Sequence, residues 1–106
     1  MTRQYRQGDV LLCAIERIPE DARPIPTDGE RLVIAQGELT GHAHAFAAAA
    51  VQMLRDAASG RTFLVIGADG AALRHEEHEP ILLPEGRYEV RRQREYRPGT
   101  ARFVSD

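Results

Sequence analysis

Apolar residues along this chain come in short bursts broken by glycine, proline and acidic residues. That rhythm predicts strands rather than helices. The first burst, Val10-Leu11-Leu12-Cys13-Ala14-Ile15, is apolar at every position and reads as a strand buried on both faces. It belongs to a first strand over residues 7–17, entered through a Gly8-Asp9 turn. Three prolines in residues 19–29 forbid a helix or a central strand there. That stretch is expected as a loop, long enough either to cover a site or partner surface or to be a plain surface excursion. Residues 30–35 give a second strand, and residues 38–46 a third with a bend at Gly41.

Residues 47–58 carry two competing signals. Ala47 to Ala50 followed by Gln52, Met53, Leu54 and Arg55 have helical propensity. The same residues 52–55, followed by a small-residue turn and the β-forming residues 61–66, also read as a hairpin. The hairpin from Val51 onward, after an alanine-rich connection, is the expectation. Asp69-Gly70 turns the chain into a short strand over 71–74. Residues 80–84 are apolar between two prolines and should be extended. Glu85-Gly86 then leads into the last clear strand, 87–96, with a bulge or an exit from the sheet near Arg91 and Arg92. The predicted class is mainly β: a small barrel or sandwich of short antiparallel strands, cupin-like in one version. It forms one β-rich domain over residues 1–106, with loop 19–29 and a short C-terminal tail, 97–106.

Composition narrows the setting more than the function. A hydrophobic share of 42% and a net charge of -2 are ordinary for a folded domain. All 14 basic residues are arginine, which fits a GC-rich coding bias better than selection for anion binding. The single cysteine, Cys13, leaves no internal disulfide and suits a reducing compartment. No stretch approaches the roughly 20 apolar residues that span a bilayer, and the first residues lack a signal-peptide core. A cytoplasmic protein without membrane contact is the expectation, and no nucleotide-cofactor motif is present.

The chemistry concentrates in two clusters. All four histidines fall in Gly41-His42-Ala43-His44 and in His75-Glu76-Glu77-His78-Glu79. Residues two apart on a strand share a face, so His42 and His44 point the same way. Such a pair can reach one metal ion, with nitrogen at roughly 2.0–2.1 Å. His75 and His78 are three apart, and a bulge or turn must bring them together. The metal set is therefore His42 and His44 with His75, His78 or both, holding one divalent Zn, Ni, Mn or Fe. Glu76 or Glu77 is the candidate general base beside an open metal position. Against this stands the plainer reading of a polar cleft or subunit interface.

Residues 87–102 hold six arginines against two glutamates. Arg91, Arg92, Arg94 and Tyr96 form the candidate anion or partner contact. They define the alternative function, a non-catalytic protein- or RNA-binding module, with RNA ranked lower because the chain as a whole is not basic. A chain this short has room for a substrate pocket chiefly where two subunits share one. A homo-oligomer or a protein partner is therefore expected, and whether the chain is an enzyme stays open.

Two resemblances follow from these motifs. The His-x-His pair, the later histidine and the Pro84-Glu85-Gly86 turn resemble the cupin family, which implies a small metal-holding β-barrel with His42 and His44 as its pair. Here alanines 47–50 stand where that family carries its glutamate, and the later histidines precede the Pro-x-Gly turn. Gln7-Gly8-Asp9-Val10, the Gly-His-x-His and the run from His75-x-x-His78-x-Pro80-Ile81 to Gln93-Arg94-Glu95-Tyr96 resemble short uncharacterised bacterial proteins. That likeness implies no function.

Overall fold

The structure, a computed structural model, describes residues 3–27, 29–36, 42–92, 94–97 and 100–103. Its main element is a six-stranded sheet. β1 (Gln4–Gln7) and β2 (Val10–Ile15) form a hairpin across Gly8-Asp9, with Gly8 in the left-handed region at φ 58°. β3 is the two-residue strand Arg23–Pro24. β4 (Arg31–Gln36) and β5 (Ala43–Ala47) pair with each other outside that sheet. After a single 3-10 turn at Ala48–Ala50 come β6 (Val51–Arg55) and β7 (Thr62–Ile66). β8 (Ala71–Leu73) and β9 (Ile81–Leu83) make a separate hairpin. β10 (Gly86–Arg92) returns to the main sheet, whose order is β1-β2-β10-β7-β6-β3, antiparallel throughout.

The core lies between this sheet and the two outer hairpins. Val10, Leu12, Leu64, Ile66 and Tyr88 from the sheet meet Leu32, Phe46, Leu73 and Leu83 from β4, β5, β8 and β9. Each such side chain contributes roughly 1.5–3 kcal/mol on burial. Val10 and Leu12 share one face of β2, as Leu64 and Ile66 share one face of β7, and all four are fully buried or nearly so.

The mainly-β, antiparallel expectation holds, in its sandwich-like form. The barrel form does not, because the large sheet keeps two ends, β1 and β3. Val10 to Ile15 is a central strand, flanked by β1 and β10. Gln4–Gln7 is a further strand, ahead of the one expected from residue 7, and as an edge strand of polar residues it carries no hydrophobic signal. The proline-rich loop supplies β3, and proline is tolerated there because β3 is the edge. Residues 47–58 resolve as the β6–β7 hairpin, with one 3-10 turn as all that remains of the helical propensity. The connection is fastened by Asp56, which accepts from the Ala58 amide at 3.2 Å and the Ser59 hydroxyl at 2.7 Å. The strand expected over 87–96 ends at Arg92, near the predicted exit, and a second strand follows, β11 (Arg94–Arg97). β11 pairs with β12 (Thr100–Phe103), a strand inside the stretch read as a tail. The bend at Gly41 lies outside the described residues. No helix among the described residues is long and apolar enough to cross a membrane.

Candidate metal centre

Two hairpins with no pairing signal between them in the sequence are joined at one point. Ala45 and Arg74 exchange backbone hydrogen bonds, both at 2.9 Å, as an isolated antiparallel bridge. Stepping outward along that register sets His44 opposite His75, Ala43 opposite Glu76, and His42 opposite Glu77. The side chains follow the same order. The His44 and His75 rings lie 4.4 Å apart, Glu76 Oε2 accepts from the Ala43 amide at 3.0 Å, and His42 Nδ1 stands 3.7 Å from Glu77 Oε1. The loop 74–80, between β8 and β9, is therefore stitched to the start of β5 by a carboxylate where the ladder stops.

That loop also removes the parity problem of His75 and His78. Residues 76–78 bend, so the two rings are not bound to opposite faces, and their centroids lie 4.5 Å apart. His75 is the hub, touching His42 at 5.5 Å, His44 at 4.4 Å and His78 at 4.5 Å. His44 and His78 lie nearly parallel at 6.0 Å. All four histidines thus come together.

Burial grades across the cluster. His44 is fully enclosed, His75 nearly so, and His42 and His78 are half-buried. Burial, reinforced by His75, lowers the His44 pKa from 6.5 to about 4 despite the opposing pull of Asp9. Burial followed by the neighbouring His78 also lowers His75. Neutral rings are the stable form, and neutral imidazole is the form that ligates metal. The His75 ring accepts from the Glu77 amide through Nδ1 at 3.0 Å. Its neutral proton then sits on Nε2, a buried atom with no hydrogen-bond partner among the described residues.

Two residues of the Gln7-Gly8-Asp9-Val10 motif, to which the sequence reading assigns no chemistry, lie against the histidines. Gln7, at the end of β1, reaches His44 Nδ1 with Oε1 at 2.9 Å. Its Nε2 donates to the carbonyls of Leu73 and Glu79, at 2.8 and 2.9 Å. Asp9, read as a turn residue, places Oδ1 3.4 Å from His44 Nε2 and accepts from Arg92 Nε at 2.7 Å through Oδ2. No local signal ties them to the histidines, since Gln7 and His44 are 37 residues apart. A cleft of about 590 Å³ opens beside the cluster, lined among others by Arg31, Phe46, Arg74, His75 and His78.

The remaining candidates distribute unevenly. Glu76 is held below the usual carboxylate range, chiefly by the Ala43 amide, while Glu77 is exposed. Arg92 joins the histidine site through Asp9, whereas Arg91 donates to Glu89 at 3.2 Å elsewhere on the sheet. The side chains of Arg94 and Tyr96 lie outside the described residues. Among the described residues, no group of three or more His, Cys, Asp or Glu side chains is placed so that it could hold a metal ion as it stands. No curated protein and no solved structure matches the chain. Residues 6–93, which contain all four histidines together with Gln7 and Asp9, match the model of a family described as a domain of unknown function (DUF8820), and the chain belongs to that family.

Proposed function

We propose that this domain binds one divalent transition-metal ion through His44, His75 and His78, with His42 at the rim. The observation that carries the reading is the convergence of every histidine of the chain from two separate hairpins, with ring centroids at 4.4 to 6.0 Å. Two imidazoles on one tetrahedral ion have ring centres roughly 5 Å apart, given metal–nitrogen bonds of about 2.0–2.1 Å. A protonated cluster would be self-repelling, and burial already opposes charging of His44 and His75. The buried Nε2 of His75 also speaks against a polar core closed by its own hydrogen bonds.

Binding requires a small rearrangement. His75 has to release the Glu77 amide and turn so that a nitrogen lone pair faces the other rings. Imidazole donors suit Zn, Ni and Fe, and carboxylates nearby extend the range to Mn. An ion at this place borders the 590 Å³ cleft, so a small molecule can approach it. Metal analysis of tag-free protein tests the reading. About one equivalent of metal, lost on combining His44→Ala with His75→Ala, is the expected result. Substoichiometric metal that does not respond to that double change would overturn it.

A further inference from the structure

We infer that Asp9 is itself a ligand of the ion, bound beside His44 Nε2, and that Gln7 is the residue that points His44 at it. This rests on the metal reading above. Gln7 settles the protonation of His44 by elimination. Its amide nitrogen lies against two backbone carbonyls, which only accept, so both of its hydrogens are spent on Leu73 and Glu79. The atom facing His44 Nδ1 is therefore the amide oxygen, and Nδ1 must carry the hydrogen of that 2.9 Å bond.

The other nitrogen follows. With Nδ1–H committed to Gln7, the ring nitrogen left for a ligand is Nε2, which faces the Asp9 carboxylate oxygen at 3.4 Å inside the protein. A charge-assisted N–H···O bond would draw the two atoms to about 2.7–2.9 Å, closer than they stand. Two donors each about 2.0–2.1 Å from a tetrahedral ion are about 3.4 Å apart, the separation found here.

The donor pair is His44 Nε2 and Asp9 Oδ1, which His75 and His78 join once their rings turn toward it. Three imidazoles and one carboxylate favour Zn, Fe, Ni or Mn over the all-oxygen preference of Ca or Mg. Arg92 on Oδ2 keeps the carboxylate one-toothed. Gln7 holds the ring as an outer hydrogen-bond partner holds a metal-bound histidine.

Co(II) titration followed by visible absorption, with Zn(II) competition for affinity, separates the outcomes. Asp9→Asn should lower affinity at least 100-fold and change the Co(II) spectrum. Gln7→Leu should cost less, about 10–100-fold, as outer-shell changes do. Wild-type protein that binds while Asp9→Asn binds equally well with the same spectrum would overturn the Asp9 assignment and leave the metal reading standing. Wild-type protein that binds no ion would overturn both. Nitrogen-15 imidazole spectra of the wild-type protein check the same point without a variant. Zn(II) should move the His44 Nε2 resonance while Nδ1 stays protonated, and ligation through Nδ1 would overturn the inference.

Discussion

Two buried ionisable groups of this domain have opposite fates. Glu89 sits on β10, in register with Cys13 of β2 and Phe63 of β7. It accepts from Arg61 Nε and Nη2, at 2.9 and 3.0 Å, and from Arg91 Nη2 at 3.2 Å. Those bonds, Arg61 first, hold its carboxyl below the usual range. Arg61 also lies over the Phe63 ring, 5.1 Å from its centre. The charge is fully answered from within the chain, and the group belongs to the fold. The histidine cluster has the reverse character. Its rings press on one another, His75 keeps a buried Nε2 without a hydrogen-bond partner among the described residues, and His44 Nε2 faces a carboxylate. A buried polar group that its own chain satisfies stabilises a structure, whereas a buried atom such as His75 Nε2 is a place where a ligand can add what the described residues do not supply.

The strongest way to break this contrast is to supply the ion. A metal at 1,000-fold excess over its Kd should stabilise the wild-type domain by about 4 kcal/mol. Thermal melts with and without chelator check this, and superimposable melts would erase the distinction between the two regions.

The next effect is pH, in chelator-treated protein. His44 and His75 titrate below 6.5 in the folded domain, His44 at about 4. Between those values the unfolded chain binds more protons than the folded one. Stability is therefore complete above about pH 6.5 and falls as pH drops toward 4. Between pH 7 and 5, His44 alone should cost about 2 kcal/mol. Glu89 works lower on the scale. Its contribution is present above its unfolded value of 4.5 and is lost only as pH falls beneath it, through the lowered folded value. Urea unfolding at a series of pH values should show the histidine loss first, and His44→Gln should flatten it. A flat profile from pH 7 to 5 in the unaltered chain would contradict the burial of neutral rings.

The smallest effect belongs to the satisfied group. Glu89→Gln keeps the shape but weakens charge-assisted bonds, and should lower stability by about 1 kcal/mol. Its metal affinity should stay within about twofold of wild type, because the hydrogen bonds described for Glu89 go to Arg61 and Arg91 and not to the histidine site. An affinity loss as large as that of His75→Ala would show that the regions are not separate.

The strands were legible in the sequence because each is announced locally. The apolar run at 10–15, the β-formers at 61–66 and the glycine-bearing turns each speak for themselves. Gly70 shows how firmly such a turn is fixed. It takes φ 71°, and a Cβ there would stand 2.7 Å from the Leu83 carbonyl oxygen. The short edge strands β1 and β3, Gln-Tyr-Arg-Gln and Arg-Pro, lack that voice. The four histidines were legible as candidates for the same reason, since their clustering is a property of the chain. Strand parity alone aligns His42 and His44, which makes them the firmer half in the sequence. His75 instead became the centre, because the loop bends at 76–78.

By itself, then, the sequence determined the class of fold, the short antiparallel strands and the two stretches that carry imidazole. Tertiary structure alone decided that these stretches meet. The Ala45–Arg74 bridge joins two hairpins that no local pattern pairs, because any strand edge offers the same backbone donors and acceptors to any other. The hydrophobic core chooses among those pairings by packing Phe46 and Leu73 against the large sheet. That choice puts His44 opposite His75, and the β1–β2 hairpin delivers Gln7 and Asp9 to the same ring.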